Sequence, residues 1–157
     1  MHEFLSSDTS QRLKLEEAAS SQDVPPAYCT HPAVVERGVG QVRPLGLFVD
    51  GLPYSKVDSA VGVWIIDIVS GTRFLVAVIR KALICTCGCR GWCTLWEVFS
   101  WLSWSMIALL KRSFPTARHD GKPWKASDAW RSDQAGAPIA GRCHLLFIKG
   151  DWAEYAG

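Results

Sequence analysis

Four cysteines stand within nine residues, Cys85-Thr-Cys87-Gly-Cys89-Arg-Gly-Trp-Cys93. Thiols at that density serve either a metal or packing. Zinc takes four thiolate or imidazole ligands in a tetrahedron, usually from one C-x₂₋₄-C pair and a second, distant pair. The spacings here are x, x and x₃, tight for four ligands from one loop. Cys89 and Cys93 have an acceptable spacing, and Cys29 with His31 could complete the tetrahedron from another loop. The alternative is a buried turn in which Cys85, Cys87, Cys89 and Cys93 act as small apolar side chains beneath a helix. A redox pair is disfavoured, because no plain C-x-x-C opens that helix.

Two carboxylates stand at the ends of apolar runs: Asp50 after LGLFV (45–49) and Asp151 after CHLLFIK (143–149) and one glycine. A carboxylate just past a strand lies at the rim of a sheet, where open α/β folds hold their ligands. Were the two strands parallel neighbours, Asp50 and Asp151 would meet. A divalent Mg²⁺ or Mn²⁺ between them would relieve their repulsion and support in-line phosphodiester chemistry. The structural alternative is an Asp-Gly turn at Asp50 and a helix N-cap at Asp151.

The elements that would position these residues are legible from apolar periodicity. LGLFV is a short strand ending at the turn signal Asp50-Gly51. VGVWIIDIV (61–69) is β-branched and aromatic, and Ser70-Gly71 leads into RFLVAVIRKALI (73–84) as the returning strand of a hairpin. Thr94-Leu-Trp-Glu97 has the form of a capping box. It opens an amphipathic helix with Leu95, Val98, Phe99, Leu102, Met106, Leu109 and Leu110 on one stripe. A Pro- and Gly-rich connection over 113–141, with a short helix near 127–134, leads to a fourth strand over 143–149. The expected class is α+β or α/β: a mixed sheet of a three-stranded antiparallel meander, a crossover helix, and a fourth strand parallel to the first.

Residues 1–27 are expected to be a disordered acidic leader with at most one short helix over 11–19. Residues 28–44 read as a loop-like entry, and 28–157 as a single domain. The leader holds two basic and five acidic residues and the body fifteen basic and ten acidic. That mildly basic body permits a polyanionic partner without demanding one. Hydrophobic residues make up 48%, ample for a core. Eight tryptophans are present; Trp92, Trp96, Trp101 and Trp104 read as core or partner-facing anchors rather than base-stacking platforms. His119-Asp-Gly-Lys-Pro-Trp124 reads as a polar turn. No signal peptide is visible, and the most membrane-like stretch, 98–110, is too short to span a bilayer. A soluble intracellular protein with free thiols is expected, with the nucleus open as a location.

The element order, with one acid at the first strand and one after the fourth, resembles the ribonuclease-H-like fold of transposases and integrases over roughly residues 45–157. The resemblance implies catalytic, metal-binding roles for Asp50 and Asp151, a nucleic acid as ancestral substrate, and a third acid on a later helix. No third acid follows at that distance, and Glu154 is too near to replace it. The chain is therefore expected to be an incomplete domain, a fragment or a decayed copy, and inactive alone. FVDGLPYSKVDS (48–59), CTCGCRGWCTLW (85–96) and IKGDWAEY (148–155) together resemble an uncharacterised multicopy family of dinoflagellate proteins, whose members continue past Asp151. Abundant copies would suit a mobile-element origin. The other functional expectation is a non-enzymatic interaction module with a zinc-bound Cys-rich loop, a Trp-rich helix, and a protein partner on an exposed apolar face.

Overall fold

The computed structural model describes residues 9–53 and 58–150. Their element order is helix α1 (Thr9–Ser20), α2 (Pro26–Cys29), α3 (Pro32–Arg37), strands β1 (Arg43–Pro53), β2 (Ser59–Asp67) and β3 (Arg73–Arg80), helices α4 (Trp92–Lys111) and α5 (Ala129–Asp133), and strand β4 (Cys143–Gly150). Asp151 lies outside the described residues.

The sheet has the order β3-β2-β1-β4, with β1 and β4 parallel and the meander antiparallel. This is the mixed α+β sheet expected from the sequence, and it is not closed. Its register follows from alternation. Leu45, Leu47 and Val49 of β1 are buried opposite Asp67, Ile65 and Val63 of β2. The other face pairs Phe48 with Trp64, rings 5.6 Å apart, because successive strand residues point to opposite faces. Gly46 is tight on that second face: a Cβ there would stand 2.7 Å from the Phe147 ring. The β2–β3 turn is held by Asp67, fully buried, whose carboxylate accepts from the amides of Val69 (2.9 Å) and Ser70 (3.3 Å).

Several expectations need correction. The first strand does not stop at Asp50-Gly51. It runs on to Pro53, with Asp50 opposite Gly62 and Gly51 opposite Val61. The ladder's hydrogen bonds outweigh the local turn preference of Asp-Gly. Residues 28–44 are not a plain loop, since α2, α3 and a 3₁₀ turn at Val39–Gln41 occupy most of them. Two prolines at N1 positions start those short helices, where a missing N–H costs nothing. Within residues 1–27, residues 9–20 form α1, the short helix expected there over 11–19, and Leu15 and Val24 are buried.

The chain divides into two compact units. One holds the helices up to Arg43 with Ser100–His144, and the other holds Pro44–Phe99 with β4 from Leu145. In the first, Tyr28 is fully buried and its hydroxyl sits against the carbonyls of Val39 and Val42. The same unit contains the C-terminal half of α4, whose Leu102, Ala108 and Leu109 are buried.

α4 starts at Trp92, six residues before the apolar stretch that composition marks. At 20 residues it is the one helix among the described residues long and apolar enough to cross a membrane by length and composition. Its stripe Leu95, Leu102, Leu109 is nonetheless buried within the protein, which is the pattern of a core-facing helix.

Candidate metal centre

The loop between β3 and α4 is built to turn sharply. After Arg80 a 3₁₀ turn at Lys81–Leu83 leads to an extended Ile84. Gly88 (φ 88°), Arg90 (φ 53°) and Gly91 (φ 80°) then take left-handed backbone conformations, which glycine adopts without steric cost. At Gly91 there is also no room: a Cβ would stand 2.5 Å from the Ile84 side chain. The Gly91 carbonyl accepts from the amides of Thr94 (3.0 Å) and Leu95 (3.1 Å), which starts α4.

Thr94 does not cap the helix, as its sequence context suggests. It lies inside α4, and its hydroxyl accepts from the amide of Cys85 at 3.0 Å. That bond ties the first cysteine to the helix start and brings the loop back on itself.

The result gathers Cys85, Cys87, Cys89 and Cys93, whose Sγ atoms all lie within 4.8 Å of one another. Cys87 and Cys93 are 3.7 Å apart. A tetrahedral zinc with Zn–S bonds of about 2.3 Å separates its sulfurs by about 3.8 Å. The group therefore needs only a small contraction to close on an ion, and it could hold one. Four thiolates would leave no open coordination position, which is the mark of a structural rather than a catalytic site. The spacing that looked too tight is accommodated by left-handed backbone at Gly88, between Cys87 and Cys89, and at Arg90 and Gly91, between Cys89 and Cys93.

The electrostatics already favour one anionic ligand. The amide of Cys93, in the first turn of α4, donates to Cys89 Sγ at 3.4 Å. This bond, assisted by the neighbouring thiols of Cys87 and Cys93, pulls the Cys89 thiol down to about 6. Cys93 is pushed up to about 12, chiefly by its hydrogen bonds to Cys89 and then Cys87. Cys87 is raised through its bonds to Cys85 and Cys89. One thiolate is thus shared among three thiol protons, and an arriving cation would displace those protons. The packing alternative fails on exposure. Cys87 and Cys93 are exposed, Cys85 and Cys89 half-buried, so none is a core side chain.

Cys29 and His31 are not members of this group. His31 is engaged elsewhere: its Nδ1 accepts from the Ala33 amide at 3.2 Å, capping α3, and its ring stacks on His144 at 3.3 Å. Cys29 is an exposed free thiol at the end of α2. Both residues start or end short helices, and that local duty is what places them.

Asp50 is half-buried within β1, its Oδ1 accepting from the Gly51 amide at 2.8 Å. The four thiols are the sole group of three or more His, Cys, Asp or Glu side chains gathered closely enough for an ion among the described residues. Among the described residues no such group includes Asp50, and its expected partner Asp151 lies outside them, so Mg²⁺ or Mn²⁺ at this position is without support.

Sequence reading missed the buried Asp67, although Asp-x-x-Ser-Gly is a recognisable turn signal. It also missed His144, which no motif marks, and read Trp124 only as part of a polar turn. Comparison with protein-family models, with curated proteins and with solved structures finds no match to this chain.

Proposed function

We propose that the chain is a non-enzymatic interaction module whose 85–93 loop is closed by one zinc ion. The observation that carries this reading is the convergence of four thiol sulfurs within 4.8 Å at a strand–helix junction. Beside the loop, Trp92 and Trp96 are 54% and 57% exposed with rings 6.2 Å apart. Paired exposed indoles are favoured anchors for a protein partner. Six free thiols suit a reducing, intracellular compartment. Metal analysis of the purified chain tests the reading: it requires one zinc per chain, lost on Cys→Ser changes in the loop. A chain that folds without metal and takes none up would remove it.

A second reading, a remnant of a ribonuclease-H-like transposase or integrase domain, is favoured by the β3-β2-β1-β4 order with β1 and β4 parallel. In it Asp50 of β1 and Asp151 are the remaining metal carboxylates, nucleic acid is the ancestral partner, and the multicopy resemblance reflects mobile-element descent. The expected outcome is no metal-dependent DNA cleavage by the purified chain. Cleavage that Asp50→Asn abolishes would replace the module reading with an enzymatic one.

A further inference from the structure

The C-terminal half of α4 lies against a cavity of about 420 Å³, within the range of roughly 300–1,000 Å³ usual for small-molecule sites. Trp101 and Trp104, three residues apart on one helix face, form one wall, and Trp124 forms another. Trp104 meets Trp124 at 6.0 Å and His119 at 6.4 Å, both edge-on. These indoles are half-buried rather than core.

The remaining lining is cationic. Arg118, Lys125 and Arg131 line the cavity together with one carboxylate, Asp128. Arg118 is held by Asp120 at 3.2 Å and Arg131 by Asp128 at 2.8 Å, pairs that fix each guanidinium while leaving most of its five N–H donors free. Lys125 is exposed and has no ion partner among the described residues. The turn that brings Arg118 in is rigid: its amide donates to the Lys122 carbonyl at 3.0 Å, and Asp120 Oδ1 accepts from the Lys122 amide at 3.1 Å.

Aromatic walls and cationic side chains on one cavity suit a planar ring that carries a phosphate. Trp124 Nε1 itself is buried without a hydrogen-bond partner and is not reached from the cavity surface.

We propose that this cavity binds a nucleotide, its base stacked against the indoles and its phosphate held by Arg118, Lys125 and Arg131. Base–indole stacking and guanidinium–phosphate forks are the two contacts such a unit makes whether free or at an exposed position of a single strand. The site is independent of the metal loop.

The test is a titration of the ¹⁵N-labelled full chain with adenosine 5′-monophosphate, following the Trp124 indole signal assigned with Trp124→Phe. The expected result is a saturable shift in about the millimolar range or tighter, with adenosine and ribose 5-phosphate each binding about tenfold more weakly. The surface double variant Lys125→Ala/Arg131→Ala, which spares the buried groups, should weaken the monophosphate about tenfold and leave adenosine unchanged. An oligodeoxyadenylate of about ten nucleotides that binds more tightly per base assigns the site to single strands, and equal binding assigns it to free nucleotides. The absence of a saturable shift overturns the proposal. So does ribose 5-phosphate or O-phosphotyrosine binding as well as the nucleotide.

Discussion

The amide of Cys93 points at the sulfur of Cys89, 3.4 Å away, across the first turn of α4. A helix N-terminus carries unsatisfied N–H donors and a partial positive charge. A thiolate at Cys89 is stabilised there, which lowers its pKa. Together the four sulfurs could hold an ion.

Removing that anchor should be felt first in metal affinity. Cys89→Ser is expected to lower zinc affinity by at least about a hundredfold, more than the 10–100-fold typical of losing a supporting group. Competition with a chromophoric chelator measures it. Cys29→Ser, outside the group, should leave affinity unchanged; a comparable loss there would mean that the ligand set is not the four loop thiols.

The two stacked imidazoles predict a pH dependence. His144 has its pKa lowered, first by burial and then by the charge of His31 3.3 Å away. A group depressed in the folded state contributes stability that is complete above its ordinary value of about 6.5. That stability is lost as pH falls toward the lower folded value, because the unfolded chain takes up the proton first. Denaturant midpoints measured from pH 8 down to 5 should therefore fall, and His144→Gln should flatten the decline. An unchanged slope in that variant would show that the stack does not control it.

Tyr28 should be costly to alter. Its hydroxyl supplies one proton to the carbonyls of Val39 and Val42 in a fully buried setting, and burial raises its pKa. Tyr28→Phe keeps the ring but leaves those acceptors short, so a loss of about 1–3 kcal/mol is expected in urea unfolding. A variant as stable as the parent would mean that water replaces the hydroxyl.

In the sheet, Gly46→Ala should destabilise by about 1–3 kcal/mol, because the new Cβ meets the Phe147 ring at 2.7 Å. Phe147→Leu in the same chain should recover part of that loss, and a double-mutant cycle gives the coupling. Strict additivity would show that the two positions do not touch.

Ile65, 2% exposed and paired with Leu47 across β1 and β2, should lose about 2–5 kcal/mol on truncation to alanine. Leu75, 55% exposed on β3, should tolerate the same change within about 0.5 kcal/mol. Equal losses at both positions would mean that β3 is covered by something these residues do not reveal.

What the sequence determined by itself was the element order and the mixed sheet. Runs of β-branched residues at period 2 and apolar residues at period 3.6 report burial on one face, which is a local property. Leu95, Leu102 and Leu109 are buried as their spacing requires. Tertiary structure decided the sites. Asp50 looked like the end of a strand because Asp-Gly favours turns, yet its pairing with Gly62 extends β1 to Pro53. Cys29 and His31 looked like ligands because of their type, but chain geometry gave them to short helices. The four thiols converge because Gly88, Arg90 and Gly91 take left-handed conformations, and the Trp124 cavity exists because a turn and a helix face meet. Both depend on where distant backbone segments come to rest, which no local pattern encodes.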